Sequence, residues 1–293
     1  MNTAPALVVG IDFSAPSAAL LRHAAHIAKA AGSPVFAVYV LDAGILARRA
    51  ASGAANPETE LLLDQARTKL QEFVDRELPD SNVVAEVRSG RPADELNLAV
   101  EEHQASTLVI AANDLTKKRL GSIAARCVRT SPCDVLVMRD WQDAKFSKLI
   151  VCMDFAPAAS RALARGVELA KADGAELEVV HVMYPPSDDF WDDILDDDES
   201  TTTYAETCKE EIDQQMSAVL APFADDLAGI SHRTVVIESK VPSVALTHHI
   251  QDGKADLVLL GTHGRSKLAS LFLGTNAERL LHDSSVSVMA VRD

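Results

Sequence analysis

The chain has 293 residues, 47% of them hydrophobic and 24% charged, a composition that suits one large globular core or, better, two of medium size. A formal charge of −15 repels a phosphate backbone over the whole surface and argues against direct nucleic-acid binding. No run of eighteen apolar residues offers a membrane span, and the opening MNTAPALVVGIDFS lacks a basic leader, so a cytoplasmic protein is expected. Cys127, Cys133, Cys152 and Cys208 show no C-x-x-C spacing and read as reduced thiols.

Residues 7–40 lie over 149–182 without a gap, and 11 of the 34 positions are identical. Chance gives about two or three in such apolar segments, so the chain is a duplication. The repeat resumes late in each half. Leu108-Val109 is matched to Leu257-Val258, and Gly121-Ser122 to Gly274-Thr275 after a four-residue deletion in the first copy. Arg126 then matches Arg279, and Arg139-Asp140 matches Arg292-Asp293. The domains are therefore 1–140 and 146–293, joined by the polar stretch DWQDAKF.

In the second copy, apolar runs at Lys148–Met153, Leu177–Met183, Arg233–Ser239, Asp256–Leu260 and Val286–Val291 alternate with segments of helical period. Leu163, Val167 and Ala170 illustrate that period, with Gly174 as a helix stop. The pattern predicts an α/β fold: two tandem doubly wound domains, each a mostly parallel five-stranded sheet with about four helices. The closing strands, Asp134–Met138 and Ser287–Val291, are apolar sheet edges. Pairing them with each other would make the chain an intramolecular pseudo-dimer, and whole chains could pair further as a homodimer.

In doubly wound sheets ligands bind beyond the carboxyl ends of the strands. Asp12 and Asp154 stand there after the first strand of each copy, where a carboxylate serves equally to hold a ligand or to cap a helix. The stronger signal is GTHGRSKLASLFLGTNAERLL after Leu257–Leu260. Gly261 and Gly264 permit positive dihedrals and close backbone approach, while Gly274-Thr275 opens a helix whose N–H groups and hydroxyl suit a polyphosphate.

Gly261-x-x-Gly264, nine residues, then Gly274-Thr275, together with the early Asp154, resembles the nucleotide motif of ATP-binding universal stress proteins. The resemblance spans both copies. It implies that Asp154 contacts the adenosine part, that Val182 lies against the adenine, and that Gly261, Gly264, Gly274 and Thr275 hold the phosphates of ATP, with or without Mg2+. The glycine usual before the proline after the third strand is replaced by Lys240-Val241-Pro242, whereas Gly90-Arg91-Pro92 keeps it in the first copy.

The first copy departs further. On the alignment above, Ala112 and Leu115 stand opposite the two loop glycines, so it is not expected to cradle phosphates; Lys117, Lys118 and Arg119 read as a solvated basic loop. Residues 187–200 carry eight acidic side chains around Phe190 and Trp191 but lack calcium-loop spacing. His248, His249 and His263 form no evident zinc set. No metal or catalytic residue is therefore expected. A nucleotide-dependent stress regulator or sensor, acting on a protein partner the sequence does not identify, is favoured over a slow ATPase, since no Walker A or kinase signature occurs, and over a structural adaptor. Substrate-activating adenine-binding ligases are a wider alternative, but Asp154-Phe155-Ala156-Pro157 lacks their glycine-rich loop.

Overall fold

A computed structural model describes residues 4–51, 59–112, 120–139, 145–184, 198–262 and 274–292. The first copy runs β1 (Leu7–Ile11), α1 (Ser17–Ala31), β2 (Val35–Asp42), α2 (Ala43–Ala51), α3 (Thr59–Glu77), β3 (Val84–Gly90), α4 (Pro92–Glu102), β4 (Thr107–Ala111), α5 (Ser122–Thr130) and β5 (Asp134–Met138). The second runs β6 (Lys148–Cys152), α6 (Pro157–Asp173), β7 (Glu176–Met183), α7 (Asp198–Leu220), a short 3-10 turn, α8 (Ala224–Leu227), β8 (His232–Glu238), α9 (Pro242–Gly253), β9 (Leu257–Gly261), α10 (Thr275–Asp283) and β10 (Ser287–Val291). The short α2 is an addition to the expected pattern.

The inner strands form because their apolar runs are buried on both faces: Val8, Val9, Leu108 and Leu136 in the first copy, and Leu149, Ile150, Leu177 and Leu257 in the second, have no accessible surface, whereas β3 and β8 are part-exposed. Each such side chain contributes about 1.5–3 kcal/mol. Between strands, α6 shows how a helix is written: Pro157 occupies its first turn, Ala159, Leu163, Val167 and Ala170 face the sheet, and Gly174 ends it in the left-handed region at φ 71°.

Each copy supplies five strands, but the compact units divide them differently. One comprises residues 1–146 with 282–292, the other 147–281. In the first, the order is β3-β2-β1-β4-β5-β10, all parallel except that β10 runs antiparallel to β5, with Met289 opposite Leu136. This is the pairing expected of the two closing strands. In the second unit the order is β9-β6-β7-β8, all parallel.

Side chains fix the β5–β10 register. The Arg139 backbone N–H donates to Ser287 Oγ at 3.1 Å, and the Arg292 N–H to Asp134 Oδ1 at 3.0 Å. The Arg292 guanidinium then donates to the carbonyls of Val128 (2.9 Å) and Arg129 (2.7 Å) in the last turn of α5. A cation there meets carbonyls left without intrahelical donors and the negative end of the helix.

In the second unit a fully buried carboxylate, Glu178 on β7, joins four elements. It accepts from Arg233 of β8 (2.7 and 3.1 Å), lies 3.2 Å from Lys148 Nζ of β6, and pairs with His249 Nε2 of α9. Burial pushes the carboxyl up, but hydrogen bonds from Arg233, His249 and Lys148 outweigh it and hold the group below the ordinary 4.5. His249, weighed as a metal ligand, thus serves to dock α9 on the sheet.

Two outcomes follow from these contacts. Arg292→Ala is expected to lower stability by about 1–2 kcal/mol in denaturant unfolding, because two helix-end carbonyls lose their donor. Glu178 contributes stability that is whole above the ordinary carboxylate range and is lost as pH falls through its depressed folded value. Glu178→Gln should therefore cost about 2 kcal/mol at pH 7, discounted because Arg233 is half exposed. Thermal melts at pH 7 and pH 3 check this: the variant's deficit should shrink at the lower pH.

Candidate functional site

The carboxyl ends of β6, β7 and β9 open onto a cleft of about 250 Å3 in the second unit. It is lined by Asp154, Val182, Gly261, Gly274 and Thr275, five of the six residues expected of the site. The sixth, Gly264, lies outside the described residues, as do His263, Lys117, Lys118, Arg119 and residues 187–197 of the acidic segment.

Asp154 follows β6 in a sharp turn. Its Oδ1 accepts the Ala156 N–H at 2.9 Å, and Phe155 takes φ 61°, a conformation that a bulky L-residue adopts only when its surroundings hold it there. What holds it is packing: the Phe155 ring sits 4.8 Å from that of His181, whose Nδ1 is 2.7 Å from the Met153 carbonyl. The first copy repeats the device, with Phe13 at φ 58° and its ring 4.8 Å from Tyr39. No glycine marks this turn, so it is not legible from residue type.

Neither aspartate caps the following helix as its N-cap residue; Pro16 and Ala156 hold those positions. The two carboxylates nevertheless differ in use. Asp12 Oδ1 accepts from the Ser14 N–H (2.9 Å), the Ser17 hydroxyl (2.9 Å) and the Ser14 hydroxyl. At Asp154 two of those serines are replaced, at Ala156 and Ala159, and Oδ1 takes one backbone donor from the turn.

Gly261 ends β9 without a positive φ. A β-carbon there would lie 2.7 Å from Ala158 Cβ and 2.9 Å from the backbone of Ala158 and Ala159, so its need for glycine is close approach to the first turn of α6. This corrects the dihedral argument made from sequence. Gly274 accepts the Glu278 N–H through its carbonyl (2.8 Å) and donates its own N–H to Thr262 O (3.2 Å). It therefore stands as the N-cap of α10, and a β-carbon on it would meet nothing within 4 Å among the described residues. From Thr275 onward, the first-turn N–H groups of α10 have no intrahelical acceptor.

The sheet register also corrects the alignment of the copies. Leu7 pairs with Thr107, and its counterpart Leu149 pairs with Leu257. Ala111, not Ala112, therefore stands opposite Gly261, and three residues rather than four are deleted: Gly121 N–H bonds Ala112 O as Gly274 N–H bonds Thr262 O. A β-carbon still occupies the glycine position. In the first copy α1 begins at Ser17, two residues later than α6 in equivalent numbering. The matching cleft of the first unit is about 120 Å3.

Sequence reasoning missed several walls of the larger cleft: Cys152, Pro242, Leu246 and Leu280. Cys152 sits at its floor, where burial first and Asp154 second push the thiol up to about 12, so it remains protonated and unreactive as a thiolate. Cys127 and Cys133 are buried free thiols, pushed up to about 12 and about 11 mainly by burial. Among the described residues, no group of His, Cys, Asp and Glu could hold a metal ion, and no helix is long and apolar enough to cross a membrane.

Comparison with known proteins places this geometry. A universal stress protein of Mycolicibacterium smegmatis is 25% identical over 98% of this chain and 96% of its own. A shorter one from Thermus aquaticus is 26% identical over 50% of this chain and 99% of its own. The crystal structure of a universal stress protein from Archaeoglobus fulgidus superimposes with a TM-score of 0.67 at 19% identity, covering 99% of this chain and 97% of that one. The profile of the universal stress protein family matches residues 5–139 and again 145–292, so this chain belongs to that family and carries its domain twice.

Proposed function

We propose that the protein is an ATP-binding regulator of the stress response in which the second copy holds the nucleotide, with or without Mg2+, and the first does not. The observation that carries this reading is the convergence of Asp154, Val182, Gly261, Gly274 and Thr275 on one cleft at the N-terminus of α10. The residues suit the ligand in chemistry. Val182, Leu246 and Leu280 give an apolar wall for a base, Asp154 gives an acceptor for sugar hydroxyls, and the α10 terminus with the Thr275 hydroxyl gives donors for phosphates. Gly274 leaves open space where those phosphates would approach the backbone.

In the first copy the same place is narrower, and Asp12 is engaged by the local serines. Equilibrium dialysis of the whole chain should therefore find one ATP per chain; two would overturn the asymmetric reading, and none would overturn the reading itself. Thr275→Ala should weaken ATP about tenfold, the loss of one hydrogen bond to a charged group. Gly274→Leu should abolish binding by filling the phosphate position while leaving the melting temperature nearly unchanged. Gly261→Ala should instead cost about 1–3 kcal/mol of stability, because its β-carbon meets α6.

A further inference from the structure

The cleft does not end at its enclosed volume. β7 closes at Met183, and the next residue, Tyr184, is 60% exposed. Val180, His181 and Val182 at the end of β7 line the cleft, and Tyr184 follows Val182 by two residues. The Ser239 N–H donates to Met183 O at 3.0 Å, which brings the start of α9 alongside. There Val241 and Val244 are 45% and 49% exposed, on either side of Pro242 and Ser243, and Pro242 itself lines the cleft. Tyr184, two residues after Val182, and Val241, next to Pro242, are thus exposed large hydrophobic side chains that flank residues lining the cleft. Among the described residues the Tyr184 ring has no hydrogen bond or ring contact.

The first copy supplies a contrast. The residue equivalent to Tyr184 is Asp42, whose Oδ1 accepts the N–H groups of Gly44 (2.7 Å) and Ile45 (3.3 Å) and starts α2. The aromatic ring is present only in the copy whose cleft is wide and whose glycine positions are kept. The enclosed 250 Å3 is below the roughly 300–1,000 Å3 of sites that bury a whole ligand, so part of a nucleotide must lie at the mouth. With phosphates at the α10 end, that part is the outer edge of a base seated against Val182 and Leu246.

We propose that Tyr184 is a further base-binding residue that stacks on the nucleobase at the cleft mouth, with Val241 on the facing rim. The inference rests on the nucleotide reading above. Calorimetric titration of the full chain, wild type, Tyr184→Ala and Tyr184→Phe, with ATP and with inorganic tripolyphosphate, tests it. Tyr184→Ala should weaken ATP about tenfold, as loss of base stacking does, and leave tripolyphosphate unchanged, while Tyr184→Phe keeps wild-type affinity for both. Unaltered ATP affinity in Tyr184→Ala, or an equal loss for tripolyphosphate, overturns the stacking role and leaves the nucleotide reading standing. A wild-type chain that binds no ATP overturns both.

Discussion

The second unit is organised around a contact that tolerates no β-carbon. Gly261 ends β9 against the backbone of Ala158 and Ala159, so the first turn of α6 can begin at Pro157 and lie directly over the strand end. The turn that presents Asp154 and the strand that leads towards the α10 terminus are thereby drawn to the same place. With Ala111 in the first copy the helix starts later, and residues 14–16 form an extra turn that recruits Ser14 and Ser17 to Asp12. The same aspartate is thus engaged by two serines in one copy and faces alanines at those places in the other.

The copies diverge in a second place with a different physical solution. Where β7 carries Glu178, β2 carries Phe36, which stacks on His103 at 3.6 Å between ring centres, with planes 8° apart. His103 in turn meets Glu86 at 2.6 Å. The first copy docks its helix end with an aromatic stack, the second with a buried carboxylate answered by three donors. The second arrangement gains its strength from complete pairing, since a buried charge with too few partners costs more than it returns. Because α9 also carries Pro242 and Leu246, the Glu178 cluster that docks it fixes one wall of the cleft.

Much of this was legible in the sequence. The apolar runs located the five strands of the second copy to within about two residues, because all but the part-exposed β8 are buried and need continuous hydrophobicity. The pairing of β5 with β10 followed from two apolar edges in need of cover. Five of the named site residues meet because glycine spacing after a strand reports backbone approach, which is a chemical property of the residue. The register of β4 was not legible: Leu108-Val109 resembles Leu257-Val258, yet sheet pairing, decided by Thr107 opposite Leu7, slides the match by one. Nor were the left-handed Phe13 and Phe155, since the energy that holds them comes from Tyr39 and His181, distant in sequence.

Those phenylalanines also separate what belongs to the fold from what belongs to the ligand. A left-handed aromatic residue costs about 1–3 kcal/mol, and both copies keep it although their clefts differ in volume by about half. The strained turn is therefore part of how either domain joins its first strand to its first helix, and it cannot be the source of the asymmetry. The differences that track cleft size lie elsewhere: a glycine or alanine at the end of the fourth strand, an alanine or serine in the first turn after the aspartate, and a tyrosine or aspartate after the second strand. All three are small changes at strand ends, where the sheet fixes the backbone and a single side chain decides whether the space beyond is filled by the protein or left for a ligand.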